Sequence, residues 1–188
     1  MSPMESYNDY LFLLQPSDAV KEQIANFKAI AAECIGPYVG MKSTAHISIE
    51  DITRQKPYVI KSLMDIARNK ITGMPPVNIQ IDGFSFFTHN KEEFMTVYAV
   101  IKPSNRTDNW FILLKKQLNS KRPITPHITV VKYIPVDSFY KLWPKFKALN
   151  YKNTFTIDRL TILERETFKP NAKYRIYEEL YFENTLKY

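Results

Sequence analysis

Two short segments of the chain combine a histidine with a hydroxyl residue, a combination suited to proton transfer. Residues 46–49 read His-Ile-Ser-Ile and residues 127–130 read His-Ile-Thr-Val, one segment in each half of the sequence. An imidazole changes its charge near neutral pH, so two of them can act as general base and general acid. The hydroxyl groups can donate hydrogen bonds to a phosphate oxygen as negative charge develops on it. The pair therefore favours metal-free chemistry on a phosphodiester.

Alternation of apolar and polar residues in both segments predicts β-strands, in which successive side chains point to opposite faces. His46 and Ser48 then share one face of the first strand, and His127 and Thr129 share one face of the second. If the strands face each other across a cleft, they present two imidazoles and two hydroxyls to one ligand. A lone histidine in a strand is ordinary, and it is the repeated pattern that favours a catalytic site.

Metal ligation is the main chemical alternative, because zinc and iron sites combine histidine with a third ligand. Glu50 lies on the face of His46 by strand parity and could supply that ligand. The equivalent position of the second segment holds Val131, which argues against a metal site. A Ser48 nucleophile is weaker still, because no nucleophile elbow surrounds the serine. The third histidine, His89, falls in a polar turn and is predicted to be solvated.

Composition places the chain among globular proteins and favours an anionic partner. The 188 residues are 45% hydrophobic and 14% aromatic, and the formal net charge is +7. This length suits one domain with a substantial core, and the basic excess favours RNA or a nucleotide as partner. The single cysteine, Cys34, excludes an internal disulfide. It falls on the apolar stripe of a predicted helix, so we expect a buried structural thiol.

Nothing in the sequence indicates membrane insertion. No apolar run approaches the length of a membrane-spanning helix, and residues 1–10 lack the apolar core of a signal peptide. We therefore expect a cytoplasmic protein without membrane association. We also expect a monomer.

The pattern of elements repeats along the chain. In the first half, an apolar strand precedes a helix that Ser17 caps and Gly36 ends, and the strand of the first motif follows. Pro57 then opens a second helix, and a strand is predicted from about Val77 to Phe87. The second half is predicted to contain a strand from Phe94 to Lys102, a helix capped by Asn105 or Thr107, the strand of the second motif, a helix from about Asp137, and two long strands, Asn153 to Glu166 and Lys173 to Glu183.

This order predicts an α+β, bilobal fold. Two pseudo-symmetric, mostly antiparallel sheets should line a central cleft, with helices on the outer faces. The repetition predicts one domain over residues 1–188 that carries an internal duplication, with one histidine motif in each half.

The two motifs, with their spacing and strand context, resemble the two-histidine phosphoesterase superfamily, and most closely its 2'-5' RNA ligase and cyclic phosphodiesterase branch. The resemblance implies an enzyme that acts on 2',3'-cyclic phosphates or 2'-5' phosphodiester bonds and needs no metal or other cofactor. His46 and His127 match the catalytic histidines of that family. Ser48 and Thr129 match the hydroxyl residues that hold the substrate phosphate.

The chain departs from the family pattern beside both motifs. Residues 50–52 are Glu-Asp-Ile, where many bacterial members continue with a Phe-Leu-Gly-like segment. Lys132 stands where many members carry arginine, and an ammonium group lacks the bidentate fork of a guanidinium. Strand parity also turns Lys132 away from His127, so Lys132 is predicted to be a peripheral phosphate contact. Lys42 is predicted to be a second peripheral contact. These departures indicate a divergent subgroup.

Two other functions remain open from the sequence. One is a phosphodiesterase for a small cyclic metabolite such as an ADP-ribose cyclic phosphate, which would need a narrow cleft. The other is a non-enzymatic RNA- or nucleotide-binding module with the same fold. A basic, open groove would favour RNA. Its candidate lining residues are Lys42, Arg54, Lys121, Arg122, Lys169, Lys173 and Arg175.

Overall fold

A computed structural model of the chain describes residues 6–123 and 125–185, which form two four-stranded sheets and four helices. All strand pairings are antiparallel, which confirms the predicted α+β fold class. The first sheet has the order β2-β1-β7-β8 and contains β1 (Asn8–Leu14), β2 (Ile47–Gln55), β7 (Arg159–Glu166) and β8 (Arg175–Tyr181). The second has the order β5-β4-β3-β6 and contains β3 (Val77–His89), β4 (Phe94–Ile101), β5 (His127–Pro135) and β6 (Lys152–Ile157).

The two sheets place the histidine motifs at equivalent positions. β2 is the edge strand of the first sheet and pairs with β1, while β5 is the edge strand of the second sheet and pairs with β4. These two edge strands also contact each other across the junction of the sheets. The halves exchange strands, because β3 joins the second sheet by pairing with β4, and β7 and β8 join the first sheet through the pairing of β7 with β1. The exchange joins the two lobes through backbone hydrogen bonds.

A serine side chain caps two of the four helices. They are α1 (Asp18–Ile35), α2 (Pro57–Thr72), α3 (Asn105–Gln117) and α4 (Val136–Ala148). The Ser17 hydroxyl accepts a hydrogen bond from the backbone N–H of Val20, and Gly36 ends α1 with φ of 79°, a conformation that suits glycine. Pro57 occupies the first turn of α2, as predicted. The cap of α3 is Ser104, so the prediction of Asn105 or Thr107 was wrong by one position or more.

Apolar helix faces fill the space behind both sheets. α1 packs against α4 and contacts β5, and α2 packs against α3 and contacts β8. In α1 the ring of Phe27 meets the rings of Phe84, Phe146 and Tyr151 at centroid distances of 5.0, 6.2 and 4.8 Å. No helix in the described residues combines the length and the apolar character needed to cross a bilayer.

Two predictions about these elements were wrong. The buried stripe of α1 ends at Ala31, so Cys34 is exposed and its thiol lies 3.7 Å from the carbonyl oxygen of Lys141. The predicted strand from Asn153 to Glu166 divides at Asp158 into β6 and β7, which belong to different sheets. The buried apolar positions change from odd to even numbers at this point, and that change of parity marks the break.

Candidate functional site

Each histidine of the two motifs stands at the start of an edge strand. His46 directly precedes β2, and His127 is the first residue of β5. Both side chains are half-buried, and His127 lies near enough for its charge to act on His46. Because β2 and β5 contact each other, both imidazoles lie at the junction between the two sheets.

Strand register places each motif's hydroxyl on the same side as its histidine. Ser48 lies opposite Leu13 of β1, and Thr129 lies opposite Tyr98 of β4. Alternate residues of a strand share a face, so Ser48 accompanies His46 and Thr129 accompanies His127. Ser48 is exposed and Thr129 is half-buried. Both hydroxyls therefore stand two residues beyond an imidazole, at matching positions of the two sheets.

Both imidazoles are held by the same hydrogen bond. The Nδ1 atom of His46 lies 2.8 Å from the carbonyl oxygen of Thr44, and the Nδ1 atom of His127 lies 2.6 Å from that of Thr125. A carbonyl oxygen can only accept, so each Nδ1 carries a hydrogen. Neutral imidazole then has its lone pair on Nε2, and the protonated ring has an N–H there. Each histidine can therefore accept or donate a proton at Nε2 without losing its anchor.

Burial lowers the pKa of both imidazoles and so favours their neutral form. Loss of solvent lowers the pKa of His46 below its ordinary value of 6.5, while the hydrogen bond to Thr44 partly opposes that effect. The charges of Lys28, Lys132 and His127 lower the pKa of His46 further. Burial likewise lowers the pKa of His127, opposed by the hydrogen bond to Thr125. An anionic substrate between the rings would raise both values, because it favours the charged imidazolium.

Two aromatic rings support His127 and were not identified from the sequence. Phe87 of β3 meets the imidazole edge-to-face at a centroid distance of 5.0 Å and an angle of 79°. Tyr98 of β4 lies 5.1 Å from the same imidazole, and Phe87 stacks on Tyr98 at 4.2 Å. Strand alternation predicts on which side of its own strand each ring lies. Only the pairing of β3, β4 and β5 shows that these faces coincide with that of His127.

A cavity of about 350 Å³ opens beside His46. Its apolar wall comes from Leu11, Leu13, Leu163 and Tyr174, and Gln15 and residues 43–46 supply polar groups. The Tyr174 ring carries the guanidinium group of Arg165 at 4.7 Å from its centroid. An apolar wall with an aromatic ring and a few polar atoms suits a planar ligand such as a nucleobase.

The two lysines predicted to be peripheral contacts are both exposed. The prediction that strand parity turns Lys132 away from His127 was wrong. Thr129 lies opposite Tyr98 but Val131 lies opposite Val97, so a bulge at Val130 returns Lys132 to the face of His127, and its charge lowers the pKa of His46. Lys42 lies in the loop between α1 and β2 that leads to His46.

Glu50 does not share the face of His46, so the parity prediction was wrong. The pairing of β1 with β2 shifts here: Ser48 lies opposite Leu13, but Glu50 lies opposite Phe12. The extra residue is a β-bulge, which turns the following side chains to the other face. Glu50 instead lines a second cavity and accepts a hydrogen bond from the Ser120 hydroxyl. Within residues 6–123 and 125–185, no three His, Cys, Asp or Glu side chains form a group that could hold a metal ion.

The sequence predicted a solvated His89, and this prediction was wrong. Its ring is half-buried, and Nε2 lies 2.9 Å from the Thr96 hydroxyl oxygen. The imidazole also lies 5.3 Å from the ring of Tyr133. These contacts give His89 a structural role at the end of β3.

Sequence comparison agrees with the motifs. Residues 16–167 match the family described as the 2'-5' RNA ligase superfamily. The match spans more than half of the chain, and the protein belongs to this superfamily. This membership confirms the resemblance inferred from the two motifs. A search of curated protein sequences found no match.

Solved structures of three proteins share the fold at low sequence identity. LigT of E. coli, complexed with 3'-AMP, matches with a TM-score of 0.63 and 14% identity, over 94% of this chain and 99% of that one. The Thermus thermophilus protein TT0787 matches with a TM-score of 0.64 and 9% identity, over 93% and 97%. Usb1 of Kluyveromyces marxianus matches with a TM-score of 0.53 and 13% identity, over 96% and 100%. At these identities the likeness shows the shared fold.

Proposed function

We propose that this protein is a metal-independent phosphoesterase that cleaves 2',3'-cyclic phosphates or 2'-5' phosphodiester bonds in RNA or nucleotides. His46 and His127 are its general base and general acid, and Ser48 and Thr129 bind the phosphate. The reverse reaction, ligation of RNA ends, uses the same groups.

One observation carries this proposal: the matched anchoring of the two imidazoles. Each Nδ1 donates to the carbonyl oxygen two residues upstream, and each ring lies at the junction of the sheets. In both rings the anchoring hydrogen bond uses Nδ1, which leaves Nε2 for proton transfer. Two of them, each followed by a hydroxyl on the same face, match the requirements of paired proton transfer.

The proposed hydrolysis of a cyclic phosphate moves one proton at each histidine. Nε2 of the neutral imidazole accepts a proton from water as the water oxygen bonds to phosphorus. Nε2–H of the protonated imidazole gives its proton to the 2' or 3' oxygen as that P–O bond breaks. The Ser48 and Thr129 hydroxyls donate hydrogen bonds to the non-bridging oxygens, where negative charge increases. In a 2'-5' linkage, the neighbouring 3' hydroxyl takes the place of water and gives its proton to the neutral imidazole. The bond from phosphorus to the 5' oxygen then breaks, the protonated imidazole gives its proton to that oxygen, and a 2',3'-cyclic phosphate is formed.

The cavity beside His46 supports a nucleotide as the ligand. A volume of about 350 Å³ with Tyr174 in its wall suits a base attached to the reacting phosphate. LigT, which shares the fold, has been crystallised with 3'-AMP, NADP+ and ATP. The basic excess of the chain also favours an anionic substrate.

A turnover assay in the presence of EDTA tests the proposal. The substrates are 2',3'-cyclic AMP, a 2'-5'-linked diadenosine monophosphate and an ADP-ribose cyclic phosphate, with products followed by phosphorus NMR. We expect turnover of one of the first two in chelator, and loss of that turnover in His46→Ala and His127→Ala. His89→Ala is the matched control, because its ring contacts Thr96 and Tyr133 instead of the proposed site.

Each contrary result points to a different function. Activity lost in EDTA and restored by zinc or manganese would replace this mechanism with a metal-dependent one. Turnover of the ADP-ribose substrate alone would favour the small-metabolite phosphodiesterase. Binding of nucleotide without any turnover would favour the non-enzymatic module.

A further inference from the structure

Lys28 is a buried cation that the proposed chemistry does not use. It lies on the inner face of α1, and only 4% of its surface is exposed. Burial lowers its pKa, and no carboxylate of the described chain opposes that effect. A buried lysine without an acidic partner is costly unless its ammonium group is fully hydrogen-bonded.

The loop that leads to His46 supplies three acceptors for this ammonium group. Nζ of Lys28 lies 2.7 Å from the carbonyl oxygen of Ser43, 2.8 Å from the Ser43 hydroxyl and 3.2 Å from the carbonyl oxygen of Gly40. The Ser43 hydroxyl itself donates to the Gly40 carbonyl at 2.7 Å, so it must accept from Lys28. Three acceptors require three N–H groups, which only the protonated amine has. Lys28 is therefore charged in this arrangement.

This loop also determines the orientation of His46. The Ser43 carbonyl that Lys28 binds belongs to the peptide before Thr44, and the Thr44 carbonyl accepts the Nδ1 hydrogen of His46. In the same loop, the Tyr38 hydroxyl lies 3.2 Å from the Val130 carbonyl, within the strand that carries the second motif. The loop thus touches the framework of both histidines.

We propose that Lys28 is a positioning residue for the phosphoesterase reaction, because its ammonium group fixes the backbone of residues 40–44 and so aims Nε2 of His46 at the substrate. This inference rests on the proposed function of His46. Lys28 has no N–H left for a phosphate, so it acts through the loop and does not contact the substrate.

The charge of Lys28 has a second consequence, for the proton chemistry of His46. The titratable groups around this imidazole are Lys28 from α1, Lys132 and His127 from β5, and Tyr174 across the cavity. Lys28 and Lys132 are positive and disfavour protonation of His46. A neutral imidazole is the form that a general base needs, so the charge of Lys28 favours the base role for His46.

Lys28→Met separates positioning from general effects of lysine removal. Methionine keeps most of the apolar stem but removes the charge and three hydrogen bonds. We expect kcat to fall about 10- to 100-fold with little change in KM, as expected for a displaced catalytic group. The acidic limb of the kcat/KM profile should move to higher pH, on the order of half a unit. Lys70→Met, which alters an exposed lysine of α2, is the matched control and should change neither quantity.

Ser43→Ala keeps the proposal testable if Lys28→Met does not fold. It removes one of the three partners and leaves the charge in place, so kcat should fall by a smaller factor while the pH limb stays unchanged. Proton NMR titration of His46 in the folded, substrate-free Lys28→Met protein gives a readout that does not depend on activity.

The outcomes distinguish the two proposals. Unchanged kcat in both variants, together with an unchanged His46 titration, would overturn the role of Lys28. Full activity of His46→Ala on a proven substrate would instead overturn the proposed function of His46, even if Lys28 shifts its titration.

Discussion

The two halves of the site share one scaffold but have different surroundings. In both, the imidazole is anchored through Nδ1 to the carbonyl two residues upstream, and a hydroxyl follows on the same strand face. Around His127 the neighbours are the rings of Phe87 and Tyr98. Around His46 they are an open cavity and the charge of Lys28.

This difference shows how a repeated motif acquires distinct roles. The shared features fix what both histidines can do, namely exchange a proton at Nε2. The unshared features decide how each one is used. Positive charge from Lys28 and Lys132 adds to burial at His46 and favours its neutral form, whereas burial is the main cause of the lowered pKa of His127. We therefore propose His46 as the general base, His127 as the general acid and the cavity as the nucleobase-binding site.

Removal of either imidazole is the strongest test of this comparison. His46→Ala and His127→Ala should each lower kcat/KM by about 10²- to 10⁴-fold, because each loses one proton-transfer partner. The residual pH profiles should differ. His46→Ala loses the acidic limb, which reports deprotonation of the base, and His127→Ala loses the basic limb, which reports deprotonation of the acid. The reverse pattern of limbs would exchange the two roles.

Loss of the hydroxyls should have a smaller and more symmetrical effect. Ser48→Ala and Thr129→Val each remove one hydrogen bond to the phosphate, which predicts a fall in kcat/KM of about 10-fold. Both positions follow their histidine by two residues, so the two effects should agree within a few-fold. Steady-state kinetics on one substrate measures both. A loss as large as that of His46→Ala at either position would mean that the hydroxyl takes part in the chemistry itself.

Substitution of one aromatic residue in each half should separate binding from catalysis. Tyr174→Leu removes the ring that lines the cavity, and KM should rise about 5-fold with kcat nearly unchanged, because base stacking contributes to binding. Phe87→Leu removes a ring that packs on His127, so kcat should fall about 5-fold with little change in KM. The melting temperature of each variant serves as a control for folding. If both substitutions changed only KM, the aromatic rings of the second sheet would also form a nucleobase-binding surface.

The motifs and the fold class were predictable because they depend on local patterns. Alternation identified both histidine strands, and helical spacing identified all four helices, with the predicted cap at Ser17 and the predicted opening at Pro57. The same helical spacing puts position 28 on the buried stripe of α1, with Val20, Ile24 and Ala31. That lysine was therefore a detectable exception in the sequence.

The rest depended on pairing between distant strands. Phe87 and Tyr98 meet His127 only because β3 and β5 flank β4, which a single sequence does not reveal. The placement of Glu50 failed because one extra residue in β2 changes the strand parity, and a bulge leaves little signal in the residues themselves. Long-range register, more than local preference, limited the prediction of the site.

The smallest expected effect concerns stability, and it follows from the lowered pKa values of both histidines. Because the unfolded chain binds protons near pH 6.5 and the folded protein binds them only at lower pH, the free energy of unfolding should fall as the pH drops from 7.5 to 5.5. Burial raises the pKa of Asp9, but hydrogen bonds from Arg54, Thr167 and Arg165 lower it overall. Its contribution is therefore lost only below pH 3.8, outside this range.

His46→Asn and His127→Asn should each reduce this pH dependence, since asparagine keeps a donor near the Nδ1 position and does not titrate. The expected loss of melting temperature in the unmodified protein between pH 7.5 and 5.5 is about 1–3 °C. His46→Asn should remove more of it than His127→Asn, because the charges of Lys28 and Lys132 add to the effect of burial at His46. Thermal melts at matched ionic strength measure the effect. Equal slopes for both variants would show that burial alone sets the two pKa values, and the assignment of base and acid would then depend on the pH limbs of the alanine variants.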